Sequence, residues 1–168
     1  MPYVGSYIWK MRQKIGHDRM IMPAVDVVIE RDDGEVLMVF NKDFGSWTFP
    51  GGYVEFGMSW SECAIGEATE EAGVVADKKD LVPIGCVSGK NCIAEYESGD
   101  SNQVFGMMFV LKKWIDETDE LDTEEISEKR YFSIGEIEML DLDSWTKRGL
   151  ETYKRYSETG VFQVVEVN

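Results

Sequence analysis

Residues 50–74, PGGYVEFGMSWSECAIGEATEEAGV, constrain this chain more than any other stretch. They open on Pro50, Gly51 and Gly52, which predicts a turn with special backbone angles. Ser59 followed by Glu62 has the spacing of a capping box, so a helix is predicted to start there. That helix carries Glu67, Glu70 and Glu71 and stops at Gly73, a residue suited to a helix C-terminus. The separations of three and four residues put all three carboxylates on one face, about a turn long. Like charges so placed repel, and the helix gains no stability from them. A divalent cation would turn the repulsion into a site.

The length of 168 residues suffices for one domain with a real core. The apolar share of 43% and the 12% of aromatic residues predict a folded chain rather than a disordered one. A formal charge of -15 argues against a nucleic-acid partner, whose backbone needs a basic face, and fits a protein that recruits cations to meet anionic ligands. Cys63, Cys86 and Cys92 have no paired spacing, so neither a disulfide framework nor a zinc site is expected. The first residues lack the apolar run of a signal peptide, and no stretch reaches the length of a membrane span. A reducing, cytoplasmic setting without a membrane partner is the expectation.

Before the central stretch, residues 6–15 have helical periodicity and end at Gly16, so residues 1–19 are expected to form a helical arm. Two roles suit it: packing on its own core, or the contact of a homodimer. Residues 22–30 (MPAVDVVIE) and 35–40 (EVLMVF) read as strands joined by the hairpin signal Asp32-Asp33-Gly34. A short strand is expected at 47–49 and the carboxylate helix at 60–72. Strands follow at 81–88, with Gly85 marking a bulge, and at 104–114, with a loop over 95–103 between them. A short strand at 129–132, a short helix at 134–140, a helix at 144–156, and a last strand or tail at 161–167 complete the order, so 141–168 is a C-terminal helix and tail. No repeat or linker interrupts the chain, and a single α+β domain over 1–168 is the economical reading.

The central stretch resembles the Nudix box, G-x5-E-x7-R-E-U-x-E-E-x-G-U, where U is a bulky aliphatic residue. Gly52 takes the first glycine, Glu67 the glutamate after the arginine position, Ala68 the first U, Glu70 and Glu71 the paired glutamates, Gly73 the last glycine and Val74 the last U. Trp47, Phe49, Pro50 and Gly51 are similar to the family's lead-in. The resemblance implies a Nudix-type α/β/α sandwich with a mixed sheet and a catalytic loop–helix–loop. Two positions depart: Met58 stands where the first glutamate belongs and Gly66 where the arginine belongs. In the family this pair holds the loop against the helix. Losing one partner of a buried pair costs roughly 3–5 kcal/mol, whereas losing both is near neutral. Gly66 also weakens the helix by about 1 kcal/mol relative to Ala. The departures bear on catalytic rate more than on fold.

By resemblance, the activity is hydrolysis of a pyrophosphate bond in a nucleoside diphosphate derivative (ADP-ribose-like, a nucleotide sugar or a nucleoside triphosphate). Mg²⁺ or Mn²⁺ would neutralise the phosphates and lower the pKa of a bound water. Glu67, Glu70 and Glu71 are the implied catalytic and metal-binding residues, with the Gly51 carbonyl as a further ligand. The water-activating base would be Glu67 or a later carboxylate: Glu95, Glu97 or Asp100 in one loop, Glu120, Glu124 or Glu125 in another, with Glu125 favoured. Trp47, Phe44 and Tyr96 are candidates to stack on a nucleobase, and Lys42 and Arg31 to meet phosphate. His17, the only histidine, has no partner cluster and suits a surface role. The alternative is a Nudix domain that binds a nucleotide or metabolite without turning it over; a third reading is an interaction scaffold.

Overall fold

The computed structural model describes residues 4–96, 98–119 and 124–168. The central strand, β1 (Met20–Glu30), has apolar side chains on both faces, the pattern of a strand covered on two sides. A hairpin through Asp32, Asp33 and Gly34 leads into β2 (Val36–Asn41), which pairs antiparallel with it. On its other side β1 runs parallel to β8 (Ser101–Leu111), in register from Met20 opposite Asn102 to Ile29 opposite Leu111. Parallel neighbours need a long crossover, and the intervening chain supplies it, including α2 (Trp60–Glu70).

Among the described residues the sheet has nine strands, with the path β10 (Ile126–Phe132), β2, β1, β8, β6 (Leu81–Ser88), β11 (Gln163–Glu166). Three short strands attach to it: β3 (Ser46–Thr48) on β2, β4 (Gly51–Tyr53) on β1, and β7 (Ile93–Glu95) on β8. A separate ribbon joins β5 (Val74–Val75) to β9 (Asp116–Glu117).

Core packing fills both faces of the sheet. On one, Val25, Val27 and Ile29 meet Ala64, Ala68 and Ala72, small residues that let the α2 backbone approach closely. The modest side chain of Ala68 is fully buried there. On the other, Val28, Met38 and Met108 meet Ile137 of α3 (Ile134–Ile137) and Leu150 and Tyr153 of α4 (Ser144–Thr159). This is the expected α/β/α sandwich with a mixed sheet. The first helix, α1 (Tyr7–Ile15), starts at an Ser6 N-cap and ends at Gly16, whose φ is 63°. It packs on its own chain, with Arg12 buried.

Several expectations change in detail. Gly51 and Gly52 form β4 rather than a turn, and neither has a positive φ. They are glycines because of close approach: a Cβ on Gly51 would lie 2.3 Å from the Val25 carbonyl oxygen, and one on Gly52 2.2 Å from Glu67 Oε1. The expected loop over 95–103 contains the end of β7 and the start of β8, where Glu95 pairs with Ser101. The polar residues there sit at a sheet end, and Asn102 is wholly buried. Gly85 does mark a register irregularity, and a Cβ on it would meet Thr152 Cγ2 of α4 at 2.6 Å.

Candidate functional site

Local sequence aims α2 at β4. Ser59 Oγ accepts the Glu62 N–H at 3.3 Å, and the Glu62 carboxylate accepts the Ser59 N–H at 2.9 Å, closing the capping box. The Ser59 N–H, then Lys78, hold the exposed Glu62 carboxyl down at about 2. One turn from its end the helix turns Glu67 and Glu71 inward. Glu71 is 4% exposed and its Oε2 accepts the Gly51 N–H at 2.8 Å. Glu67 lies against the bare Cα of Gly52. Glu70, by contrast, faces solvent on the outer edge of the pair.

These two carboxyls stand in an unfavourable field. Burial pushes Glu67 up to about 8, and Glu70, Glu125 and Asp26 add to the rise. Burial raises Glu71 well above the usual carboxylate range, with Glu67 adding, the Gly51 N–H opposing, and Glu125 and Asp26 adding further. The bare site therefore favours a bound proton or a bound cation.

Asp26 is the residue that the sequence reading missed. It lies on β1 opposite Gly51, is 8% exposed, and accepts the Trp145 Nε1–H at 2.9 Å. Burial raises it to about 7, against the pull of the Trp145 N–H and with Asp143 adding to the rise. The signal was a lone acid inside an otherwise apolar strand, MPAVDVVIE. Trp145 reaches it from the start of α4, its ring laid where a Cβ on Gly106 would stand.

Carboxylates that, like Glu67 and Glu71 among the described residues, lack a cationic partner suit a hard divalent cation. Among the described residues, no three acidic, histidine or cysteine side chains already converge as a cation cage. A cation here would complete its shell with backbone oxygen, water and ligand phosphate, as a Mg²⁺-sized ion commonly does.

The remaining candidates separate clearly. Glu125 is exposed and near enough to raise Glu67 and Glu71, and also the Tyr96 phenol. Tyr96 and Phe44 stand together, ring centres 6.1 Å apart, with Phe44 half exposed. Trp47 instead packs edge-on to Phe40 and Phe132, against the cluster under α3 and α4. Asp100 is engaged by Arg12 and by the exposed His17. Arg31 lies 3.3 Å above the Tyr131 ring and pairs with Glu117. Glu95 and Glu124 are exposed; Glu97 and Glu120 lie outside the described residues.

This arrangement agrees with what the chain is similar to. The family model for the NUDIX domain matches residues 20–154. The NUDIX domain of Shewanella oneidensis NrtR, in complex with ADP ribose, superposes with a TM-score of 0.67 at 14% identity, covering 82% of this chain and 88% of that one. A MutT protein from Methanosarcina mazei Go1 gives 0.62 at 20% identity, with 84% and 99% covered. A C. elegans Ap4A hydrolase gives 0.59 at 20% identity, with 82% and 98% covered. Likeness at these identities establishes the fold, and the match to the family model, over most of the chain, shows that this protein belongs to the Nudix hydrolase family.

Proposed function

We propose that this protein, read as a single domain over 1–168, hydrolyses a pyrophosphate bond in a nucleoside diphosphate derivative. ADP-ribose-like compounds, nucleotide sugars and nucleoside triphosphates are the range. The observation that carries the reading is the inward-facing pair Glu67 and Glu71, pressed against Gly51 and Gly52 and, among the described residues, with no cationic side chain paired to them. Glu67 and Glu71 would hold Mg²⁺ or Mn²⁺, with Glu70 and the Gly51 carbonyl supporting. When bound, such an ion neutralises phosphate charge and acidifies a coordinated water. Glu67 would take a proton from an attacking water, with Glu125, an exposed carboxylate near enough to act on Glu67, as the alternative base. Phe44 and Tyr96, rather than Trp47, offer an aromatic wall for the nucleoside end.

Met58 and Gly66 favour a second reading, a binding domain without turnover. Met58 is half exposed, and a Cβ on Gly66 would meet nothing within 4 Å, so the place of the family's Glu–Arg brace is open. Other contacts hold the same loop: Val54 N–H to the Pro23 carbonyl, Glu55 to Tyr7, and the Glu62–Lys78 pair. The two readings separate on a panel of nucleoside diphosphate derivatives with Mg²⁺ or Mn²⁺, assayed for phosphate-bearing products. Turnover that Glu71→Gln abolishes supports the hydrolase. Tight binding without product, at high protein concentration, supports the second reading and overturns the first. Installing Met58→Glu together with Gly66→Arg is expected to raise the rate more than the two single changes combined; additive effects sink the brace argument.

A further inference from the structure

The N-terminal helix precedes the segment that matches the family model, yet it is tied through Asn102 to the start of β8. Arg12 is its buried anchor. Nη1 donates to the carbonyls of Gly16 and Asp18, at 3.1 and 2.6 Å. Nη2 donates to the Ser101 carbonyl at 3.1 Å and to Asn102 Oδ1 at 2.6 Å. Nε lies 3.1 Å from the Asp100 carboxylate. A guanidinium has donors only, so the Asn102 amide oxygen must face it and the amide NH₂ must face the other way.

That orientation propagates. Asn102 Nδ2 donates to the Tyr53 hydroxyl at 3.2 Å. The Tyr53 and Tyr96 hydroxyls are 2.8 Å apart. The Tyr53 oxygen accepts from Asn102 and shares a proton with Tyr96 in either direction, so the chain fixes where the two hydroxyls stand. The Tyr96 ring in turn stands beside Phe44.

We propose that Arg12 is a positioning residue for the nucleoside end of the site, holding Tyr96 in place beside Phe44 through the hydrogen-bonded chain Arg12–Asn102–Tyr53–Tyr96. This rests on the reading of the Phe44–Tyr96 wall given under Proposed function. It predicts selectivity for phosphates that carry a nucleoside over those that do not.

The test is calorimetric binding of ADP and of inorganic pyrophosphate, each with Mg²⁺, to the full chain. Tyr53→Phe breaks the chain in the middle and leaves α1 and Arg12 intact, so the result does not depend on how well Arg12→Ala folds. ADP binding is expected to weaken about three- to tenfold in Tyr53→Phe and in Arg12→Ala, with pyrophosphate unchanged within about twofold. Arg12→Lys is expected to recover only part of the loss, since one ammonium cannot span the Asn102 and Asp18 oxygens as the planar fork does. Equal weakening of both ligands in Tyr53→Phe, or none, overturns the inference and leaves the hydrolase reading standing. Wild-type protein that binds pyrophosphate as tightly as ADP also overturns it, by removing the nucleoside subsite. Protein that binds neither overturns the functional reading itself, and the inference with it.

Discussion

Glu71 keeps 4% of its surface in water and has the Gly51 N–H as its close donor, which is too little to offset the burial of its charge and the added repulsion from Glu67 one turn away. An amide of the same shape can still accept that N–H while carrying no charge. Glu71→Gln is therefore expected to raise the thermal midpoint of the metal-free protein near pH 8, and to lower turnover by at least about 100-fold, the upper end of what groups outside a metal's own ligands cost. Melting curves in chelator beside progress curves check both halves; a lowered midpoint would show that the charge is better compensated than this. Gly66 makes an opposite kind of prediction. It is interior to α2, its φ is not positive, and nothing stands within 4 Å of a Cβ built on it. Gly66→Ala is expected to stabilise the fold by about 0.5–1 kcal/mol in a denaturant titration. A destabilised variant would mean that the open space is needed.

Helix α2 is held at its far end by a residue from another element. Lys129 of β10 donates to the Ala72 and Thr118 carbonyls and pairs with Glu117, so it stitches the helix exit to the β5–β9 ribbon. Lys129→Met keeps the stem and deletes the donors. It is expected to cost about 1.5–3 kcal/mol, with faster amide exchange confined first to β5, β9 and the end of α2. Uniform acceleration across β1 and β8 would contradict that. This stitch was not legible in the sequence, whereas the elements it joins were. Short apolar runs located β1, β2 and β6, and cap residues marked the end of α1 and the start of α2, because those signals are local. What escaped was short and dependent on partners: β4, β7, and the ribbon exist only where a neighbouring strand offers its edge. The site divides the same way. Glu67, Glu70 and Glu71 follow from helical spacing, and Tyr96 and Phe44 were plausible stackers by type. Asp26, Tyr53, Asn102 and Arg12 are widely separated in the chain, and register alone brings Asp26 to Gly51 and Asn102 to the start of β1.

Across the molecule, the carboxyls displaced from their usual range fall into two classes with opposite pH behaviour. Glu62, Asp77 and Glu136 are lowered, chiefly by backbone N–H donors at helix starts. Their contribution is present above the unfolded carboxyl range and is lost on acidification through their folded values. Glu67, Glu71 and Asp26 are raised, chiefly by burial. Between the unfolded value of 4.5 and the folded value of about 8 for Glu67, the native state holds a proton that the unfolded state has released. Unfolding then releases protons, and stability falls as pH rises through that window. With a chain charge of -15 the general repulsion grows in the same direction. Metal-free protein is thus expected to be most stable near pH 5 and to lose stability steadily toward pH 8. A divalent cation held by these carboxylates would compete with those protons, so Mg²⁺ is expected to add little near pH 5 and more near pH 8, flattening the profile. Denaturant midpoints at fixed ionic strength, in chelator and in Mg²⁺, measure both curves. An equal Mg²⁺ gain at the two pH values would mean that the ion acts through general screening and not through Glu67 and Glu71. Glu71→Gln supplies the internal control: it should shrink the Mg²⁺ gain near pH 8 and leave the small gain near pH 5 as it is.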